Sequence, residues 1–235
     1  MNLLDDIIDP QGESFENILA WINGRIGAIR ATKFTPEVMA TFASVELHDE
    51  FTGCFGAESS SVWRRFFLAA LVADWACYGR EVDRADFARL KYIMTSAYKY
   101  FRIWVCRLPD STMAPVGYSA WYPVTEFAYK SALNKRMDIN DRGVFMPLRF
   151  IDFRDIRYIY AFNVSIVKEL RNTVCSRRII RAYQKDGELL GNIGAVAVTV
   201  DEPGKKFSRI GGFDHVSDIV VQGETESVFI KKVVS

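Results

Sequence analysis

The sequence predicts a mixed α/β fold of the α+β kind, with helices first and a mainly antiparallel sheet flanked by helices after them. Three observations carry this. Residues 14–97 hold apolar positions at helical spacing, residues 101–122 read as two strands joined by a turn, and residues 157–213 read as strand, helix, strand and short capped helix. No internal repeat or low-complexity linker is visible, so a helical region over residues 1–98 and a sheet region over residues 99–235 are expected to form one compact unit.

The helical region is punctuated by caps and glycine. Ser14 to Gly24 places Phe15, Ile18, Leu19 and Ile22 on one side, and the break is expected at Gly24. Thr35-Pro36, a cap followed by proline in the first turn, starts a second helix with Val38, Met39, Phe42 and Val45 on one side. A third begins at Ser59-Ser-Ser-Val-Trp and is apolar almost all round, hence buried. Its longest apolar run, Phe66–Ala73, is stopped by Asp74, well short of the ~18–20 residues that span a bilayer. A fourth runs from Asp83 to Tyr98 on a stripe of Phe87, Leu90, Ile93 and Met94.

The sheet region starts with strands Phe101–Leu108 and Pro115–Tyr122, joined by the turn-like Pro109-Asp-Ser-Thr. A helix of about a dozen residues follows from Thr125, then a polar turn at Asp138–Arg142 and a strand over Val144–Phe153. Arg157–Ile166 alternates with period two, with Tyr158, Tyr160, Phe162, Val164 and Ile166 on one face and the smaller Ile159, Ala161, Asn163 and Ser165 on the other. Val167–Ser176 leads into a helix over Arg177–Lys185 carrying Ile179, Ile180 and Tyr183. A strand thus ends at a helix amino terminus, where backbone N–H groups and the helix dipole converge on an anion site. Asn192–Val200 is a further strand. The segment after it, Asp201-Glu-Pro-Gly, starts a short helix that Gly211 is expected to end in the left-handed conformation.

A net charge of +1 supplies no global field for nucleic acid or anionic membrane, so either partner needs a local patch. Four widely spaced cysteines without a Cys-x-x-Cys pair, beside two histidines, argue against a zinc site and for free thiols in a reducing, cytoplasmic setting. The acidic start, Met1-Asn-Leu-Leu-Asp-Asp, has no basic leader.

From Arg157 to Phe213 the chain resembles the GNAT N-acyltransferase superfamily, in which a strand, an Arg/Gln-x-x-Gly-x-Gly/Ala loop, a helix, a strand and a short helix lead to a Gly-Phe turn. The resemblance covers about the last 80 residues and is best matched at Glu169-Leu-Arg171 and Gly212-Phe213. Where the family has small loop residues, this chain has Val174 and Ser176, and Asn172 stands where glycine is common. Val174 is expected to crowd a pyrophosphate. A second similarity is to the acyltransferases that activate RTX toxins on internal lysines. It rests on Ala114-Pro-Val-Gly-Tyr-Ser-Ala-Trp121 and on Val200-Asp201, Gly204-Lys205 and Gly211-Gly212. The histidine those enzymes use has no counterpart near Trp75–Arg84.

The resemblance implies transfer of an acyl group from a thioester donor, acyl-CoA or acyl carrier protein, to an amine such as a protein lysine, without a metal. It implies that backbone N–H groups at Val164, Ser165 and Ile166 polarise the thioester carbonyl, and that Arg171, Asn172, Thr173, Val174, Cys175 and Ser176 cradle the donor's phosphates. It also implies Ser208 at the position where the family often has a tyrosine that protonates the leaving thiolate. Read from the residues, Asp152, flanked by Phe150, Ile151 and Phe153, is a candidate base, against an ion pair with Arg149, Arg154 or Arg157. Glu126 is a candidate amine-orienting carboxylate, against a helix-start charge answering the dipole. Tyr160 and its neighbour Tyr158 are candidate phenolic acids, against core packing. Cys175 near a helix amino end suits a thiolate, but no histidine is placed beside it, and His48 and His215 are weak candidates. Lys168, Arg171, Arg177, Arg178, Arg181 and Lys185 form a basic cluster that suits phosphates, an acidic carrier protein or nucleic acid, against a solvated helix face. The competing readings are a catalytically degenerate binding or regulatory protein on the same fold and a nucleic-acid-associated protein.

Overall fold

A computed structural model describes residues 3–46, 60–78, 90–91, 94, 101–134, 158–189, 194–199, 201–221 and 224–231. The chain divides into two units, Met1–Ser119 with Ser165–Arg177, and Ala120–Val164 with Arg178–Ser235. No described helix is long and apolar enough to cross a membrane.

In the first unit, helix α1 (Phe15–Ala31) is capped by Ser14, whose hydroxyl accepts from the Asn17 N–H, and buries Ile22, Ile26 and Ile29. Gly24 does not break it. Ile26 and Ile29 continue the apolar stripe past the glycine, so packing outweighs a propensity cost of about 1 kcal/mol, and Thr32 closes the helix. That face lies on α3 (Ser61–Cys77), capped by Ser60 and buried from Phe66 through Asp74. The expected second helix is cut short. Helix α2 (Pro36–Ala40) stops where the Thr41 hydroxyl turns back on the Val38 carbonyl at 2.7 Å, and the chain becomes strand β1 (Ala43–Glu46). Phe42 leaves the predicted helical stripe to stack on Trp104 at 5.2 Å, and Val45 pairs with Ile103. Local periodicity lost here to strand pairing. Of the expected fourth helix, Leu90 and Met94 are described and fully buried, Lys91 is described and exposed, and the rest lies outside the described residues.

Strand β1 pairs antiparallel with β2 (Arg102–Arg107), and β2 with β3 (Met113–Pro123). The hairpin was legible. Asp110 binds the Thr112 N–H and hydroxyl, and Ser111 takes a φ of 71°. The register slips between Trp104 and Val105, which face Gly117 and Pro115, so Val116 is the extra residue. A bulge is where a strand tolerates Pro115, which has no N–H to give. A stack of Phe66, Phe101 and Tyr118 fills the space between α3 and this sheet.

In the first turn of α3, Arg64 grips both oxygens of Asp9 at 2.8 and 3.0 Å. That bond, then one from Ser61, holds the Asp9 carboxyl well below the usual carboxylate range. A depressed folded-state value contributes stability above the unfolded value of about 3.9 and loses it as pH falls through the folded one. Asp9→Asn is therefore expected to melt below wild type at pH 7, with the gap narrowing steadily below about pH 4. Melts across that range check it, and a gap independent of pH would contradict it.

In the second unit, β4 (Tyr158–Ile166, its last two residues in the first unit) pairs parallel with β5 (Gly194–Thr199), β5 antiparallel with β7 (Glu224–Lys231), and β7 with β6 (Asp214–Val221). Described pairing is thus mixed and mainly antiparallel, as expected. The smaller residues on one face suggest room there, but both faces of β4 pack: Ile159 is 5% exposed and Tyr160 4%. That is the usual state of a strand with a parallel neighbour. Helix α4 (Glu126–Leu133) packs on β5 and β7, with the Tyr129 ring against Gly194. Helix α5 (Val174–Leu189) buries Ile179, Tyr183 and Asp186, and the Tyr183 hydroxyl donates to the Ala120 carbonyl at 2.6 Å. Helix α6 (Glu202–Ile210) is capped by Asp201, and Gly212, not Gly211, is its left-handed residue, with φ of 80°. The Phe213 N–H reaches back to the Ser208 carbonyl and the Gly212 N–H to that of Arg209, a Schellman closure that puts the positive φ one residue later than expected. The polar turn at Asp138–Arg142 and the strand over Val144–Phe153 lie outside the described residues.

Candidate functional site

Pro115-Val-Gly-Tyr118 builds the site in the first unit. Released by the bulge, the Val116 carbonyl accepts the Val167 N–H at 2.9 Å and lies 3.8 Å from the Cys77 sulfur. Gly117 lets the end of β4 come close: a Cβ there would sit 2.3 Å from the Ser165 carbonyl oxygen and 3.1 Å from the Ile166 Cα. Tyr118, fully buried, donates its hydroxyl to Asp74 of α3 at 2.7 Å. Ser165 is a further hydrogen-bond partner of Tyr118, and its hydroxyl also lies 2.9 Å from that of Tyr78, the residue that ends α3. Burial, then the charge of Asp74, pushes the Tyr118 phenol well above its ordinary value. The same two causes, in the same order, raise the Cys77 thiol, while Arg171 opposes them.

Beyond Ile166 the chain makes one turn of 3₁₀ helix (Lys168–Leu170), then enters α5 through a loop that organises itself. The Arg171 Nε donates to the Ile166 carbonyl at 3.2 Å. Asn172 has φ of 61°. Asparagine is the residue other than glycine that tolerates this region, so the missing loop glycine is answered by a side chain that can make the same turn. The Thr173 hydroxyl donates to the Leu170 carbonyl at 2.7 Å and accepts the Cys175 N–H at 3.1 Å, so it caps α5. The other N–H groups of the first turn have no acceptor within the helix, and they gather where the dipole is positive. The Val174 side chain is 47% exposed. The residues present fit a phosphate, with a left-handed residue before the turn and a capped helix start after it.

Ser165, Ile166 and Arg171 to Ser176 therefore come together in one turn of chain. Within it Cys175 is fully buried and its sulfur lies 4.0 Å from the Met39 carbonyl. Val164, in the second unit, is half-buried. The described pairing of β4 with β5 runs from Tyr158 opposite Gly194 to Ala161 opposite Ala197. In the second unit Tyr160 is buried in β4. Glu126 is exposed at the start of α4, paired with Lys130 at 2.8 Å and accepting from the Tyr158 hydroxyl at 3.3 Å. Ser208 is buried in α6. Its neighbour Phe207 stands edge-on to Tyr183 at 6.0 Å. Asp152 and His48 lie outside the described residues, and His215 sits on β6 with its Nε2 3.0 Å from Asp218. Arg177, Arg178, Arg181 and Lys185 are exposed along α5, and Lys168 just before it.

Asp74, Tyr78 and Tyr118 were not among the residues the sequence singled out. Asp74 had a signal, a carboxylate ending the apolar run Phe66–Ala73, and it was read as an interruption of that run. Tyr118 sits in the Pro-Val-Gly-Tyr motif, which was weighed as resemblance and not as chemistry.

No protein-family model matches the sequence, and no curated protein matches it. Among solved structures the chain is similar to the loading GNATL domain of CurA from Lyngbya majuscula, at 11% identity over 81% of this chain and 96% of that one, with a TM-score of 0.55. It is also similar to the NatC complex bound to Gag peptide and CoA, at 10% identity over 83% of this chain and 99% of that chain, with a TM-score of 0.50.

Proposed function

From the GNAT N-acyltransferase fold that this chain shares, we propose that the protein moves an acyl group from a thioester donor to an amine. The observation that carries the reading is the strand-to-helix turn. There Asn172 supplies the left-handed residue, and Thr173 caps α5 over an N-terminus suited to a pyrophosphate. Main-chain N–H groups at Val164–Ile166 polarise the carbonyl, and the amine attacks it directly. The donor's phosphates sit on the loop Arg171–Ser176. Cys175 has no part in a covalent step, because its thiol is buried against a carbonyl.

The donor is acyl-CoA or acylated carrier protein. The exposed cations Arg177, Arg178, Arg181 and Lys185 favour a large acidic donor over a small one. The acceptor is an amine, with a protein lysine the reading we favour from the Pro-Val-Gly-Tyr strand.

Thermal unfolding with acetyl-CoA, palmitoyl-CoA and acylated carrier protein tests this. A donor at 100 times its dissociation constant stabilises by about 2.7 kcal/mol, and Arg171→Glu is expected to abolish that shift by placing a negative charge beside the phosphates. A donor-dependent shift lost in the variant supports the reading. No shift with any donor overturns it, and so does a shift that Arg171→Glu leaves intact.

A further inference from the structure

We propose that Tyr78, Ser165, Tyr118 and Asp74 form the path that carries the proton of the attacking amine away from the reaction. The inference rests on the acyl-transfer reading and deepens it. The four side chains come from three separated pieces of the first unit: the end of α3, strand β3 and the last turn of β4. They connect without a gap, Tyr78 to Ser165 at 2.9 Å, Ser165 to Tyr118, and Tyr118 to Asp74 at 2.7 Å.

The path has an open end and a closed end. Tyr78 is half-buried, Ser165 is 4% exposed, and Asp74 is 0% exposed. Ser165 lies within the stretch whose N–H groups are proposed to polarise the carbonyl, so the path starts where the amine loses its proton. Tyr118 donates to Asp74, and the Ser165 and Tyr78 hydroxyls, whose protons rotate, can each turn to donate toward it.

Among the described groups facing Asp74, its carboxylate is the place where a proton can stop. Tyr118 from β3 and Cys77 from α3 are both held in their protonated forms by burial and by the Asp74 charge. Tyr78 bears on Tyr118, and Arg171 and Glu169 from the loop bear on Cys77 with opposite signs.

The step balances. The amine nitrogen bonds to the thioester carbon and the carbon–sulfur bond breaks. The nitrogen's proton passes to the Tyr78 oxygen, each hydroxyl hands its own proton to the next, and the Tyr118 proton arrives on Asp74. The same chain run backwards returns a proton to the departing thiolate, so amide and free thiol are the only products. Tyr78 is the group that meets the amine, and Ser165, Tyr118 and Asp74 act through it as positioning residues.

Asp74→Asn keeps an oxygen that accepts from Tyr118 but cannot hold the proton, and Ser165→Ala breaks the chain at its middle. The assay uses acetyl-CoA and palmitoyl-CoA with a pool of lysine-containing peptides, reading thiol release and peptide mass across pH 6 to 10, beside the donor thermal shift of each variant. Both variants are expected to keep the donor shift and a donor KM within about twofold. Their kcat is expected to fall by about a hundredfold, the low end of general acid–base contributions, and to recover as rising pH deprotonates the amine in solution. Wild-type kcat and pH profile in both variants overturn the path while the acyl-transfer reading stands. No transfer by the wild type overturns both.

Discussion

Gly117→Ala is expected to lower the melting midpoint by about 10 °C, because among the described glycines an added Cβ meets backbone most closely there. A Cβ at that position meets the Ser165 carbonyl oxygen at 2.3 Å and the Ile166 Cα at 3.1 Å, and both are backbone atoms. No rotamer relieves such a clash, so β3 and β4 must separate. The Val167 N–H to Val116 carbonyl bond, formed beside the glycine, is strained by the same movement. Overpacking of this kind costs about 3 kcal/mol, and for a chain of this length each kcal/mol is worth roughly 2–4 °C. Circular dichroism melts of the two proteins measure it. A midpoint within about 2 °C of wild type would mean that the strands are not held as close as described.

The second large effect belongs to Asp74. Asp74→Ala is expected to cost about 3 kcal/mol, because it leaves the buried Tyr118 hydroxyl without its carboxylate acceptor and opens a space in a helix face that is buried all round. Asp74→Asn is expected to recover most of that loss, since the amide oxygen still accepts from Tyr118. The contrast between the two separates hydrogen bonding from charge. Urea midpoints at constant slope check it, and equal losses in both variants would show that the negative charge itself, held by groups other than Tyr118, is what stabilises the site. The same comparison fixes which of the two variants is sound enough for kinetics.

The elements that the sequence named correctly are those whose signals are local. Ser14, Ser60 and Asp201 cap helices because a side-chain oxygen two or three residues before a free N–H can always reach it. Asp110 and Ser111 make the β2–β3 turn for the same reason, and the strand–helix–strand order around α5 follows from runs of alternating and helical periodicity. The loop after Arg171 was legible on that basis as well, although the helix starts at Val174 and takes in Val174–Ser176, which the sequence leaves in the loop. Its left-handed residue, Asn172, stood out only as a missing glycine, although asparagine can fill that role.

Tertiary structure decided the rest. Whether Phe42 and Val45 continue a helix or start an edge strand depends on β2 being there to pair with, and whether Gly24 ends α1 depends on α3 being there to cover Ile26 and Ile29. The polar chain is the clearest case. Asp74, Tyr118 and Ser165 are 44 and 47 residues apart in succession, too far for any periodicity to relate them, and in sequence each looks like an ordinary helix or strand position. What joins them is the bulge at Val116 and the missing Cβ at Gly117, which let Ser165 and Ile166 come close to the backbone of β3. By itself the sequence determined most of the kinds of element, their order around α3 and α5 and the place of the strand-to-helix turn, because those rest on hydrogen bonds within a few residues. The fold alone determined which buried oxygens meet, because that rests on the distance between backbones far apart in the chain.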